Sequence, residues 1–182
     1  GFGEGIDADA AVVRSFTATP GARLVTSSFS TSFSLYGERV GALSMVTADK
    51  DEVARVLSQL KRLIRANYSN PPTHGGQIVS TVLCSPELRA LWEAELATMR
   101  NRIKLMRAML VERLHERMPG ADFRFILAQR GMFSYSTLTK AQVQTLREEF
   151  SIYAIDTGRV CVAALNSRNV DDIAAAVANV IG

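Results

Sequence analysis

The strongest constraint on this chain is one run in which Leu88, Trp92, Leu96, Met99, Ile103, Met106, Leu110 and Leu114 step by three or four residues. That spacing predicts a single helix of about seven turns. Ser85 stands at the capping position, and Pro86 falls in the first turn, where its missing N–H goes unused. Pro119 and Gly120 close the far end. A helix of this length is expected to link two bodies, and 182 residues allow one ordinary domain or a small domain plus part of another.

The flanks of the helix differ in pattern. Upstream, Asp7 is placed to cap a short helix running through Phe16, and Ala22 to Ser28 reads as a strand. Five serines and two threonines then fill Thr26 to Ser34. Leu24 and Val25 precede them, and Val40, Ala42, Leu43 and Val46 follow, so this polar stretch lies between two candidate buried strands. Asp49 and Glu52 mark a helix start, and Val53, Val56, Leu57, Leu60, Leu63 and Ile64 keep a 3.6 period to about Asn67. Asn70, Pro71, Pro72, Gly75 and Gly76 favour a turn-rich connection to a short apolar helix around Ile78 to Leu83.

Downstream of Gly120 the elements shorten. Strands are expected at Phe123 to Leu127 and Gly131 to Ser136, and Thr139 with Gln142 forms a capping box with Leu138 and Val143 as its staple. Ile152 to Ile155 and Val160 to Leu165 flank Asp156-Thr157-Gly158 as a hairpin. Val170, Ile173, Ala174, Val177 and Ile181 form a last amphipathic helix, completing a small α+β domain.

Apolar residues make up 47% of the chain and charged ones 21%, which excludes a disordered or fibrous class. Cys84 and Cys161 are too few for a disulfide framework, so a reducing, cytoplasmic setting is expected. No run reaches the roughly 18 apolar residues of a membrane span. The first residue is Gly1, on a stretch that also holds Gly3 and Gly5, and this opening reads as a loop within a longer protein. No metal site is expected: His74 and His115 lack close ligand partners, and Asp156, Asp171 and Asp172 suit turn and helix-start roles. Cys84 reads as an inert thiol, with a pairing to His74 left open.

The most specific string is Ser27-Ser28-Phe29-Ser30-Thr31-Ser32-Phe33-Ser34-Leu35-Tyr36-Gly37-Glu38-Arg39-Val40-Gly41. With lysine in place of Thr31 it resembles the cofactor-lysine segment of the aspartate and aromatic amino-acid aminotransferases. Ile64-Arg65-Ala66-Asn67-Tyr68-Ser69-Asn70-Pro71-Pro72, Gly131-Met132-Phe133-Ser134 and Gly158-Arg159-Val160 follow in that family's order. The resemblance covers nearly the whole chain and about the C-terminal half of a subunit. It implies an α/β architecture: the end of the large pyridoxal-phosphate-binding domain of a fold type I aminotransferase over 1–84, a long interdomain helix over 85–118, and a small C-terminal α+β domain over 119–182.

The resemblance also implies roles. Ser28 and Arg39 correspond to the hydroxyl and guanidinium that hold the cofactor phosphate, a dianion suited to a short donor beside a forked cation. Arg159 corresponds to the arginine that grips the substrate α-carboxylate, and Arg65 to a second substrate arginine that serves the other subunit of a homodimer. Phe133 corresponds to a pocket-lining residue; Ser69 and Asn70 share the family loop after Arg65. Taken without the family, Ser28 and Arg39 are loop residues, Arg159 is a solvated turn charge, Arg65 complements a helix C-terminus and Phe133 is a core side chain. Ser30 and Ser32 have no assigned role.

Thr31 is the departure. The family's lysine forms a Schiff base with the aldehyde of pyridoxal 5'-phosphate and then moves the substrate α-proton; a threonine hydroxyl can do neither. Lys50, some 19 positions on, begins the next helix. The parent protein is thus expected to be a transaminase, aromatic or aspartate type, with amino-acid and 2-oxo-acid substrates and without nucleic-acid or membrane partners. This chain alone is expected to be inactive. One alternative is a non-catalytic relative or a lysine-replaced protein that traps ligand. The other is a helical nucleic-acid or partner-binding module using Arg100, Arg102, Lys104, Arg107, Arg113 and Arg117, although Glu93, Glu95, Glu112 and Glu116 flank that basic run.

Overall fold

The computed structural model describes residues 1–182. The fold mixes eight α-helices with two separate two-stranded antiparallel sheets. The chain divides into two compact units: Ile6–Leu96 forms one, and Gly1–Gly5 with Ala97–Gly182 forms the other.

The Ile6–Leu96 unit begins with α1 (Ile6–Asp9) and α2 (Ala11–Ala18). Asp7 is not a cap. It lies inside α1, where its carboxylate and carbonyl both accept from Arg14, at 2.8 Å each. Strands β1 (Arg23–Ser28) and β2 (Gly41–Val46) pair in register from Arg23↔Val46 to Ser28↔Gly41. They were expected to be buried but are not: Leu24 is 61% exposed and Leu43 50%. A two-stranded ribbon has too little neighbouring surface to bury its apolar side chains.

Helix α3 (Lys50–Asn67) starts as expected. Asp49 Oδ1 accepts from the Glu52 N–H at 2.7 Å, and Glu52 Oε2 accepts from the Ala48 N–H at 2.7 Å. Its apolar stripe is real, yet none of its residues is buried. Helix α4 (Thr73–Cys84) begins well before the expected Ile78, running through both glycines. Pro72 ends the extended segment at the N-cap, and Gly75 is buried against Glu38 and Val40, where a Cβ would stand 2.8 Å from the Glu38 Cβ. Close packing outweighs the helix penalty of Gly at that point.

Helix α5 (Pro86–Arg117) has 32 residues, with the Leu88 N–H donating to Ser85 Oγ at 3.3 Å. The division between the units falls inside it. Its second part supplies Ile103, Met106, Leu110, Val111 and Leu114 to the main core of its unit, together with Phe123, Ile126, Val162, Leu165, Val170 and Ala174. Phe123 to Leu127 is not a strand: α6 (Arg124–Ala128) occupies it, started by the Asp122 carboxylate accepting from the Arg124 N–H at 2.9 Å. The expected strand Gly131 to Ser136 contracts to β3 (Phe133–Tyr135).

Helix α7 (Lys140–Phe150) carries the full Thr139–Gln142 capping box, and Leu138 and Val143 pack together in a second core with Leu146 and Ala176. The hairpin at 156–158 is corrected. Gly158 does take a positive φ of 79°, but the strand it leads into, β4 (Arg159–Cys161), pairs with β3 and not with Ile152 to Ile155. Only Ile155 N–H to Arg159 O at 3.4 Å remains between the two expected arms. A short 3₁₀ helix (Val162–Ala164) and α8 (Val170–Ile181) close the chain.

Candidate functional site

The loop from Phe29 to Val40 is shut at its base by the Phe29 N–H donating to the Val40 carbonyl at 3.1 Å, one step beyond the Ser28↔Gly41 rung. Ser28 and Arg39 therefore flank that closure on the two sides of the loop. Ser28 is exposed; its Oγ accepts from the Ser30 N–H and hydrogen-bonds Ser30 Oγ, each at 3.2 Å. Arg39 takes a left-handed φ of 54° and donates Nη1 to the Tyr36 carbonyl at 3.0 Å, which leaves other donors of its exposed fork for an anion.

Thr31 sits in the turn at the head of this loop. The Phe33 N–H donates to the Phe29 carbonyl at 3.1 Å, and the Ser34 N–H to the Thr31 carbonyl at 3.3 Å. Sequence reasoning missed what anchors the turn. Trp92, the chain's one tryptophan, donates its Nε1–H to the Ser32 carbonyl at 2.7 Å and stacks on Phe33 with centroids 4.6 Å apart. Phe33 in turn meets Phe29 edge-on at 5.6 Å. The signal was a lone Trp on the long helix, which periodicity alone reads as core.

Arg65, in the last turn of α3, donates to Ser69 Oγ; Ser69 itself takes a φ of 70°, and its N–H and that of Tyr68 both reach the Ile64 carbonyl. Arg65 is exposed. His74 and Cys84 lie at opposite ends of α4, a rise of about 15 Å for ten residues, which removes the Cys-His pairing.

In the other unit, β3 and β4 bring two expected site residues together. Tyr135 opposes Arg159 and Phe133 opposes Cys161, and the Arg159 Cζ lies 4.9 Å over the Phe133 ring. Phe133 is 47% exposed, a surface platform and not a core side chain. The cation on its face is held by the ring quadrupole and by chain direction, because Gly158 fixes the turn immediately before it. A cavity of about 460 Å³ lies beside these residues, with Leu110, Leu138, Leu146 and Val162 among its apolar lining and Ser136 and Arg159 among its polar lining.

The basic residues of α5 are already engaged. Arg100 donates to the Gly1 carbonyl, Arg102 to those of Ala163 and Leu165, and Lys104 pairs with Glu4. Arg113 meets Glu116 at 3.1 Å and Asp171 at 2.8 Å, Arg117 reaches the Arg113 carbonyl, and Arg107 is buried. Each of these basic side chains thus has an internal partner, with carboxylates meeting Lys104 and Arg113 and carbonyls meeting Arg100, Arg102 and Arg117. Asp156, similarly, pairs with Arg147 at 3.0 Å and Lys140 at 3.4 Å, which hold its carboxyl below the usual range.

Comparison with known proteins gives this arrangement a family. The model for aminotransferase class I and II matches residues 1–177. An aspartate aminotransferase of Pseudomonas aeruginosa is 61% identical over 181 residues, covering 100% of this chain and 46% of that protein. An aromatic-amino-acid aminotransferase of Escherichia coli is 50% identical over 181 residues with the same coverage, 100% and 46%. A crystal structure of the aromatic-amino-acid aminotransferase of Burkholderia pseudomallei, covalently bound to pyridoxal phosphate, superposes with a TM-score of 0.95 at 67% identity, over 100% of this chain and 45% of that one. The chain belongs to the class I and II aminotransferase family, and it spans a little under half the length of these relatives.

Proposed function

We propose that this chain is the C-terminal part of an amino-acid transaminase of aspartate or aromatic type, in which an amino group passes between an amino acid and a 2-oxo acid. The observation that carries the reading is the closed Phe29–Val40 loop, which gathers Ser28, Thr31 and Arg39 on one short segment of a chain of this family. On this reading residues 1–84 end a large cofactor domain of fold type I, 85–118 link, and 119–182 form a small domain. Two free, exposed cysteines fit a reducing, cytoplasmic compartment. The role given to Arg65 makes the functional unit a homodimer.

The donors fit the phosphate end of pyridoxal phosphate: an exposed guanidinium with unspent N–H groups and an exposed hydroxyl flank one loop closure. Position 31 does not fit the aldehyde end, because a hydroxyl lacks the amine nitrogen that condensation requires. Bound pyridoxal phosphate supplies the electron sink that loosens the α-proton of an amino acid. Arg159 holds and orients the α-carboxylate through its fork, steadied on the Phe133 ring, and Arg65 serves a second carboxylate. Thr31 neither accepts the α-proton nor returns it, since a neutral alcohol is a poor base. Thr31 favours a second reading: a protein that binds cofactor and substrate without turning them over.

Thr31→Lys in a full-length subunit decides between them. Transamination of aromatic or acidic amino acids with a visible cofactor band is the outcome expected of a transaminase. Pyridoxal phosphate bound by both forms, with no turnover in the lysine form, supports the second reading. Failure of the lysine form to bind pyridoxal phosphate sinks both.

A further inference from the structure

Arg107 is 3% exposed, and no carboxylate is among its partners. Its Nη1 donates to the Gln129 carbonyl at 2.9 Å. Nη2 donates to the Gly131 carbonyl at 2.8 Å, the Phe133 carbonyl at 3.3 Å and Ser134 Oγ at 3.0 Å. Nε completes the set on the same Ser134 hydroxyl at 3.3 Å. Burial, helped by the positive charge of Arg130, pulls the guanidinium below its ordinary pKa, which reflects the cost of placing a cation among neutral acceptors. Methionine or leucine would suit this part of the helix without that cost. What only the planar fork supplies is a set of five directed bonds to four residues of one loop and strand, Gln129, Gly131, Phe133 and Ser134.

Those bonds also replace a strand. The outward N–H and carbonyl of Tyr135 are met by the Gln129 side-chain amide, at 2.7 Å and 2.9 Å, and the outward carbonyl of Phe133 is met by Arg107. Arg107 holds the Gln129 backbone as well, so both clamps on the outer edge of β3 depend on it. The inner edge of β3 carries β4 in the Tyr135↔Arg159 register, with Arg159 over Phe133.

We propose that Arg107 is a positioning residue: its buried fork clamps Gln129–Ser134 and thereby sets the Phe133–Arg159 pair to receive a carboxylate. The functional half of this statement rests on the reading of Arg159 given above. A buried arginine on α5 thus acts on the Phe133–Arg159 pair without touching the carboxylate itself.

The test uses this chain, with 3-phenylpropionate as the probe carboxylate. In proton NMR the Arg159 side-chain signals are expected upfield, shifted by the Phe133 ring. Arg107→Met should abolish that shift and weaken 3-phenylpropionate binding about tenfold, while Val170 and Ala174 signals of α8 stay in place. Arg107→Lys keeps the charge but not the fork, and should lose most of the shift; it decides the matter if the methionine variant does not fold. An Arg159 shift unchanged in either folded variant overturns the proposal. Arg159→Met separates the two claims: 3-phenylpropionate affinity unchanged by it defeats the carboxylate role of Arg159, while the ring shift still judges the clamp.

Discussion

At the scale of single residues, local geometry makes sharper demands than residue type suggests. Gly158 combines a φ of 79° with a Cβ position only 2.7 Å from the Leu138 carbonyl. Gly158→Ala should cost about 1–3 kcal/mol, read as a lower urea midpoint, and should disturb Arg159 next to it. Asp122 shows how a short-range pair sets a titration. Side-chain and backbone N–H groups of Arg124 lower its pKa from 3.8 to about 2. Its bond is therefore fully present above the ordinary carboxylate value and is lost as the pH falls towards about 2. Carboxyl-carbon NMR should place the Asp122 midpoint near 2, and Arg124→Gln should return it towards 3.8. Ser28, Thr31, Arg39, Arg65 and Arg159 were all singled out as candidates in the sequence through motif resemblance. Arg107 was not, because its spacing from Arg100 and Lys104 makes it look like part of a solvated basic face.

At the scale of elements, three helices with side-chain start signals formed where expected, whereas the apolar runs Phe123 to Leu127 and Ile152 to Ile155 did not become strands. Asp49–Glu52, Ser85–Pro86 and Thr139–Gln142 each satisfy orphan N–H groups within a few residues, so α3, α5 and α7 begin on schedule. Thr139→Ala should cost about 1 kcal/mol in chemical unfolding by removing one of those acceptors. Phe123 to Leu127, by contrast, is a short apolar run that suits strand or buried helix equally, and the Asp122 turn with burial of Ile126 makes it α6. The 156–158 hairpin failed for a related reason. A Gly turn fixes a reversal but not a partner, and β4 finds better pairing on β3. Within the second core, Leu146 is 1% exposed, and Leu146→Ala should cost about 2–5 kcal/mol.

At the scale of the whole molecule, the two units differ in how well they bury their apolar surface. The unit containing 97–182 has two continuous cores, whereas the 6–96 unit leaves Leu24, Leu43, Val53, Leu57 and Leu63 between 46% and 66% exposed. Apolar area of that extent attracts dyes and other chains. The chain should bind 8-anilinonaphthalene-1-sulfonate and show concentration-dependent association in sedimentation. Leu57→Glu combined with Leu63→Glu, on the open stripe of α3, should reduce both signals. Equal dye binding and association after that change would place the sticky surface elsewhere.

The sequence by itself determined the helices with capping signals, the long α5, and the family, because hydrogen-bonding termini, a 3.6-residue period and an ordered set of motifs are all local properties of the chain. It also places a threonine hydroxyl at position 31, where the function proposed above would require an amine. Tertiary structure decided the rest. It decided which strand β4 joins, that the β1–β2 ribbon stays open to solvent, that Trp92 anchors the Thr31 turn, and that Arg107 is a buried clamp. Each of these depends on which surfaces meet across tens of residues, and pairing and burial at that range follow from the competition among all available partners rather than from any one segment.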